Sequence, residues 1–100
     1  MKLGILVNTD RHREHVIGIA RAAVARGHSV LIFMMDSGTR LIDDPGISAL
    51  CGLGNVEMSF CSFNAKNEGV MTDRMPREMI AGSQLNNAAM NHAADRVIVL

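Results

Sequence analysis

The sequence predicts a three-layer, flavodoxin-like α/β fold with a mainly parallel five-stranded sheet, helices on both faces, and a single domain over residues 1–100. Three observations predict it. Short apolar runs recur at residues 3–7, 30–35 and 97–100, a further strand reads over 56–60, helical patterns alternate with them, and no repeat, linker or low-complexity tract interrupts the series. One hundred residues suit one domain, and 48% apolar content is what an ordinary core needs.

The first run, Leu3-Gly4-Ile5-Leu6-Val7, is continuous in hydrophobicity and stops at Asn8-Thr9-Asp10. This suits a strand buried on both faces of a parallel sheet. From Arg11 the period changes: Val16, Ile19, Ala20, Ala23 and Val24 share a stripe that Arg13, Arg21 and Arg26 avoid, and Gly27 supplies a left-handed stop. A second strand over 30–35 ends in the turn residues Asp36-Ser37-Gly38 and completes a βαβ unit. Asp44 is placed to cap a short helix with Pro45 at its first position, and Ile47, Leu50 and Cys51 form that helix's apolar stripe. The third strand, 56–60, leads to Cys61-Ser62 and a polar segment over 64–69 with room for a turn or two of helix. Met71, Met75 and Met79 recur at helical spacing, but Pro76 interrupts any helix through them. Their expected role, with Met90, is core or subunit interface. A short fourth strand is expected over 79–81, then a helix capped by Ser83 that carries Leu85, Ala88, Ala89 and Ala93, then the last strand.

Composition excludes several function classes. Lys plus Arg and Asp plus Glu balance at ten each, and three Phe without Trp or Tyr leave little for base stacking, so no nucleic-acid partner is expected. No run approaches the roughly 20 apolar residues that span a bilayer, and the basic-then-apolar start is cut short at Asn8. The expectation is a cytoplasmic protein with no membrane partner.

In a flavodoxin-like strand order the first and third strands flank the ligand crevice at the carboxyl edge of the sheet. That order would bring Asn8, Asp10 and His12 beside Cys61, Asn64 and Lys66, leaving the 36–40 loop on the far side of the first strand. Cys61 would start a polar segment with Lys66 near in sequence and Arg11 or His12 near in space, surroundings that favour thiolate. It reads either as a nucleophile or as a small half-buried residue at a strand end. Cys51, on an apolar stripe, reads as packing, and the intervening strand holds the two thiols beyond disulfide reach. The first turn lacks the glycines of a dinucleotide-binding loop, and Gly52-Leu53-Gly54 precedes a strand where that motif must follow one. No cofactor is expected. His12 and His15 lack a third ligand at matching spacing, so no metal is expected either. Phosphate on the first helix's N-terminus, aided by Arg11, is a weaker reading, and His92 reads as a semi-buried histidine.

The segments Val56-Glu57-Met58-Ser59-Phe60-Cys61, Glu68-Gly69-Val70, 83–94 and Ala94-Asp95-Arg96-Val97-Ile98-Val99 resemble those of the DsrE/DsrF-like (TusD-like) sulfur-relay family. The opening βαβ unit fits as well, and Asp36-Ser37-Gly38 falls where that family often has an Asp-Gly turn, followed here by Thr39-Arg40 in place of its usual Val. The resemblance spans nearly the whole chain. It implies a trimer, hexamer or mixed oligomer in which the cysteine ending the third strand, Cys61 here, takes sulfane sulfur as a persulfide from a donor protein and hands it to an acceptor. Asn8, Asp10, His12, Asn64 and Lys66 would then shape the pocket. On that reading the chain is a sulfurtransferase. The rival readings are a non-catalytic oligomeric module that binds a small anion or a protein partner, and a structural subunit of a larger complex.

Overall fold

The computed structural model describes residues 1–100. Five parallel strands, β1 (Lys2–Val7), β2 (Ser29–Met34), β3 (Val56–Cys61), β4 (Ile80–Gly82) and β5 (Arg96–Val99), form one sheet in the order β4-β3-β2-β1-β5. The helices are α1 (Arg13–Ala25), α2 (Pro45–Ser48), α3 (Ser62–Asn67) and α4 (Gln84–Ala93), with 3-10 turns at Asp36–Leu41 and Ala49–Gly52. None of them is long and apolar enough to cross a membrane. The predicted class and strand count hold, and the strand boundaries shift by only a residue or so.

The expected neighbourhood of the first and third strands does not hold, because β2 lies between them. From β1 to β4 the chain advances one strand at a time in the same direction, so right-handed connections keep α1, α2 and α3 on one face. The return to β5, beyond β1, runs in the opposite direction and carries α4 across the other face. The side chains follow this division. Ile5, Val7, Ile32, Met34, Met58 and Phe60 pack with Val16, Ala20, Ile47 and Ala65 in a buried cluster of 15 residues. Alternate strand residues point the other way, where only Phe33, Cys61 and Met90 are buried together.

Local chemistry explains the element ends. Gly27, at φ 83°, closes α1 as predicted. Asp44 caps α2 by accepting the Ile47 N–H at 3.1 Å, and it also accepts from Arg13 Nε at 2.8 Å, which ties α1 to α2. Burial by itself would raise the Asp44 carboxyl's pKa; the hydrogen bonds from Arg13 and the Ile47 backbone outweigh it and leave the value lowered. Asp44→Ala is therefore expected to cost about 1 kcal/mol at neutral pH. A carboxyl whose pKa falls on folding contributes stability above its unfolded value of about 4 and loses it as pH drops through the folded value. Urea unfolding of both proteins should show the gap at pH 7 and its narrowing below about pH 4.

The turn predicted at Asp36 is a 3-10 segment with Gly38, Thr39 and Leu41 buried. Asp36 has φ 47°, its N–H is held by Asn64 Oδ1 at 3.0 Å, and its carbonyl accepts from Thr39 Oγ1 at 2.7 Å. Those two bonds hold the chain in a conformation that residues other than glycine seldom adopt. The methionines divide as Pro76 implied, with no helix through 71–79. Met79 is buried, Met75 half-buried and Met71 exposed.

Candidate functional site

Adjacent strands of a parallel sheet open a crevice where the helices that follow them leave toward opposite faces. Here those strands are β3 and β4, paired at Cys61 and Gly82. After Cys61 the chain enters α3, whose Ala65 joins the larger core; after Gly82 it enters α4, whose Met90 joins the smaller one. A groove of about 590 Å³ lies between the two helix starts, lined by Cys61, Ser62, Phe63 and Asn64 on one side and Gly82, Ser83, Gln84 and Leu85 on the other.

Cys61 forms the floor. It is only 4% exposed, caps α3, and its Sγ accepts the Asn64 N–H at 3.5 Å. Ser83 caps the facing helix, taking the Leu85 N–H at 3.2 Å, while Asn86 Oδ1 returns to the Ser83 N–H at 3.0 Å. At the rim Phe63 and Leu85 are 70% and 77% exposed. No lining side chain carries a charge.

Among the residues expected around Cys61, the structure brings only Asn64 to it. Lys66 lies on the other side of α3, in a separate cavity with Phe60, Val70 and Met75. Asp10 pairs with Arg40 at 3.7 Å, and Arg40 Nε also meets Glu68 at 3.1 Å, so these groups clip the first loop and the 3-10 turn to the end of α3. The 36–40 segment thus sits beside α3 and not on the far side of β1. Asn8 donates its N–H to the Leu100 carbonyl at the β1–β5 edge. His12 is the N-cap residue of α1, its side chain making no capping bond, and it meets His15 edge to face, centroids 5.9 Å apart. Arg11 likewise stays in that turn, its N–H on Thr9 Oγ1. The physical reason is the strand order, since β2 separates the first loop from β3.

Sequence reasoning missed Gly82, Ser83, Gln84 and Leu85 as groove residues, while Phe63 follows Cys61 directly and lines the groove with it. A helix cap directly after a three-residue strand was the available signal, because it puts Ser83 at the carboxyl edge beside whichever strand pairs with β4.

Cys51 behaves as packing. Half-buried, it sets its thiol 3.4 Å from Met58 Sδ, and burial, followed by the charge of Glu78, pushes its pKa up. It packs on the larger core while Cys61 belongs to the smaller one, so the sheet stands between the two free thiols.

No protein-family model and no curated protein sequence matches the chain. Solved structures share its fold, two of them as follows. The ychN protein from E. coli aligns over 100% of this chain and 99% of its own with a TM-score of 0.73 at 17% identity. A protein of unknown function from Methanobacterium thermoautotrophicum, MTH1491, aligns over 99% and 98% with a TM-score of 0.76 at 14% identity. At such identities the likeness is one of fold.

Proposed function

We propose that this chain is a cytoplasmic, self-associating sulfur carrier of the DsrE/DsrF-like family, with Cys61 as the residue that holds the sulfur. The observation that carries the reading is the position of Cys61: the one thiol on the groove floor, at the start of α3, with a backbone N–H directed at Sγ.

The chemistry is an exchange between sulfurs. Cys61 thiolate attacks the outer sulfur of a donor persulfide, R–S–SH. The donor S–S bond breaks, its inner sulfur leaves as R–S⁻, and a new S–S bond forms on Cys61 Sγ. In the second step an acceptor thiolate attacks that outer sulfur, and Cys61 leaves as thiolate. No electrons are gained or lost overall. The Asn64 N–H stays on Sγ through both steps, donating to the sulfur that is nucleophile in one and leaving group in the other. Because Cys61 is nearly buried, the donor must present its sulfur into the groove, and Phe63 and Leu85 offer apolar contact at the rim.

Intact-protein mass spectrometry after incubation with a low-molecular-weight persulfide tests this. Wild type and Cys51→Ser are expected to gain one sulfur atom that a thiol reductant removes; no gain in either overturns the reading. The rival binding-module reading draws on the exposed Phe63 and Leu85 as a docking rim for a protein partner, and it predicts partner binding indifferent to Cys61→Ser. Its small-anion form finds no cationic side chain in the groove.

A further inference from the structure

We propose that the cavity on the far side of α3 from the groove is a binding site for a small aliphatic monocarboxylate, with the carboxylate at Lys66 and the hydrocarbon chain between α3 and the segment that follows it. The proposal goes beyond the chemistry of Cys61 and does not depend on it.

The cavity exists because the chain after α3 is tied down at both ends and crosses open space between them. Gly69, at φ 70°, turns the chain out of the helix, and the Val70 N–H returns to the Ala65 carbonyl at 2.9 Å. At the other end Met79 is 2% exposed and belongs to the larger core. The residues between, Pro76 among them, form neither helix nor strand, and they leave a space of about 310 Å³ against α3, β3 and β4.

The floor and sides of this space are apolar. Phe60 and Ala65, almost fully buried, close the bottom, while Val70, Met75 and Ala81 form the sides. Phe60 and Ala81 are partners in the β3–β4 register, so both present the same face of the sheet. The polar lining is confined to Ser62, Lys66 and Thr72, all exposed and therefore at the mouth. Lys66 carries the only charge in the lining. The ion pairs of the chain join Arg13 to Glu14 and Asp44, and Arg40 to Asp10 and Glu68, so Lys66 has no carboxylate of its own.

This arrangement selects the ligand. One cation balances one negative charge, which favours a carboxylate over a phosphate dianion, and the hydroxyls of Ser62 and Thr72 can donate to its oxygens beside the ammonium. Apolar sides suit a hydrocarbon chain and disfavour a sugar or a base, which would leave its own polar groups unpaired inside. The volume is at the low end of small-molecule sites, which run from roughly 300 to 1,000 Å³, so the hydrocarbon chain is short. A cationic ligand would meet Lys66 as a like charge.

Amide proton–nitrogen NMR titrations of the full chain with hexanoate, butanoate and hexylammonium test the assignment. Hexanoate is expected to shift the amides of Ser62, Lys66, Val70 and Thr72 saturably, butanoate to bind about tenfold more weakly for want of two buried methylenes, and hexylammonium not to bind. Lys66→Met keeps an apolar stem and removes the charge, and it should weaken hexanoate binding about tenfold. Ala81→Leu fills the space from an exposed position on the edge strand and should abolish the saturable shifts. Both substitutions fall at exposed positions, and the amide spectrum itself reports that each variant is folded. The proposal is overturned by a wild type that shows no saturable shift with hexanoate, by equal affinity for butanoate and hexanoate, by hexylammonium binding as tightly, or by either variant binding hexanoate as wild type does.

Discussion

Cys61→Ser is expected to abolish sulfur uptake while leaving the fold intact. Serine keeps the shape of cysteine, and a hydroxyl at this position can still accept the Asn64 N–H, so the cap of α3 survives. What disappears is the nucleophile. A serine hydroxyl is not ionised near neutral pH and cannot hold sulfane sulfur, whereas thiolate both attacks and leaves readily. The effect is therefore total loss of the reducible mass gain, not a partial change. Burying a hydroxyl against Phe33 and Met90 carries a modest stability cost, about 1 kcal/mol, which thermal unfolding will show as a small fall in Tm. A full sulfur gain in Cys61→Ser would place the acceptor elsewhere, with Cys51 the remaining thiol. Cys51 is poorly suited to that role, since burial and the Glu78 charge favour its protonated form.

Gly38→Ala is expected to be the most damaging single methyl addition in the chain. A Cβ at Gly38 would lie 2.2 Å from the Val7 carbonyl oxygen and 2.8 Å from its carbon. Both are backbone atoms of β1 in the fully buried part of the sheet, and that oxygen already accepts the Met35 N–H at 2.9 Å, so it cannot retreat without breaking the exit of β2. The alternative is for the 3-10 turn to move. That would pull on buried Thr39 and on the Asp36–Asn64 bond, which links this turn to the helix beginning at Cys61. Overpacking against an unyielding backbone costs about 3 kcal/mol or more. In a domain of this size that is a drop in Tm of roughly 15 °C or more. A Tm within a few degrees of wild type would show that the turn relaxes freely and that its grip on α3 is weak. Sulfur uptake measured on the folded fraction would then show how far the placement of Asn64 matters to Cys61.

The amino-acid sequence by itself determined the elements and the side of each that is buried. Periodicity marks the strands and α1, Asp44 with Pro45 marks the start of α2, Ser83 that of α4, and Gly27 the stop of α1, because each signal acts through bonds and sterics within a few residues. The contrast between the two cysteines was legible for the same reason. Cys51 lies on a helical stripe, and Cys61 ends a strand, where the chain must leave the sheet at its carboxyl edge. Tertiary structure alone decided which loops meet there. Strand order depends on the direction of each crossover, and no local signal records whether the third strand adds beside the first or beyond the second. For that reason Asn8, Asp10 and His12 were expected at Cys61 and lie elsewhere, while Gly82, Ser83, Gln84 and Leu85 complete the groove; Lys66 is turned away by α3 itself, which carries it to the helix's other side. The reversal between β4 and β5 sends α4 alone to the second face, and this leaves an open crevice beside Cys61.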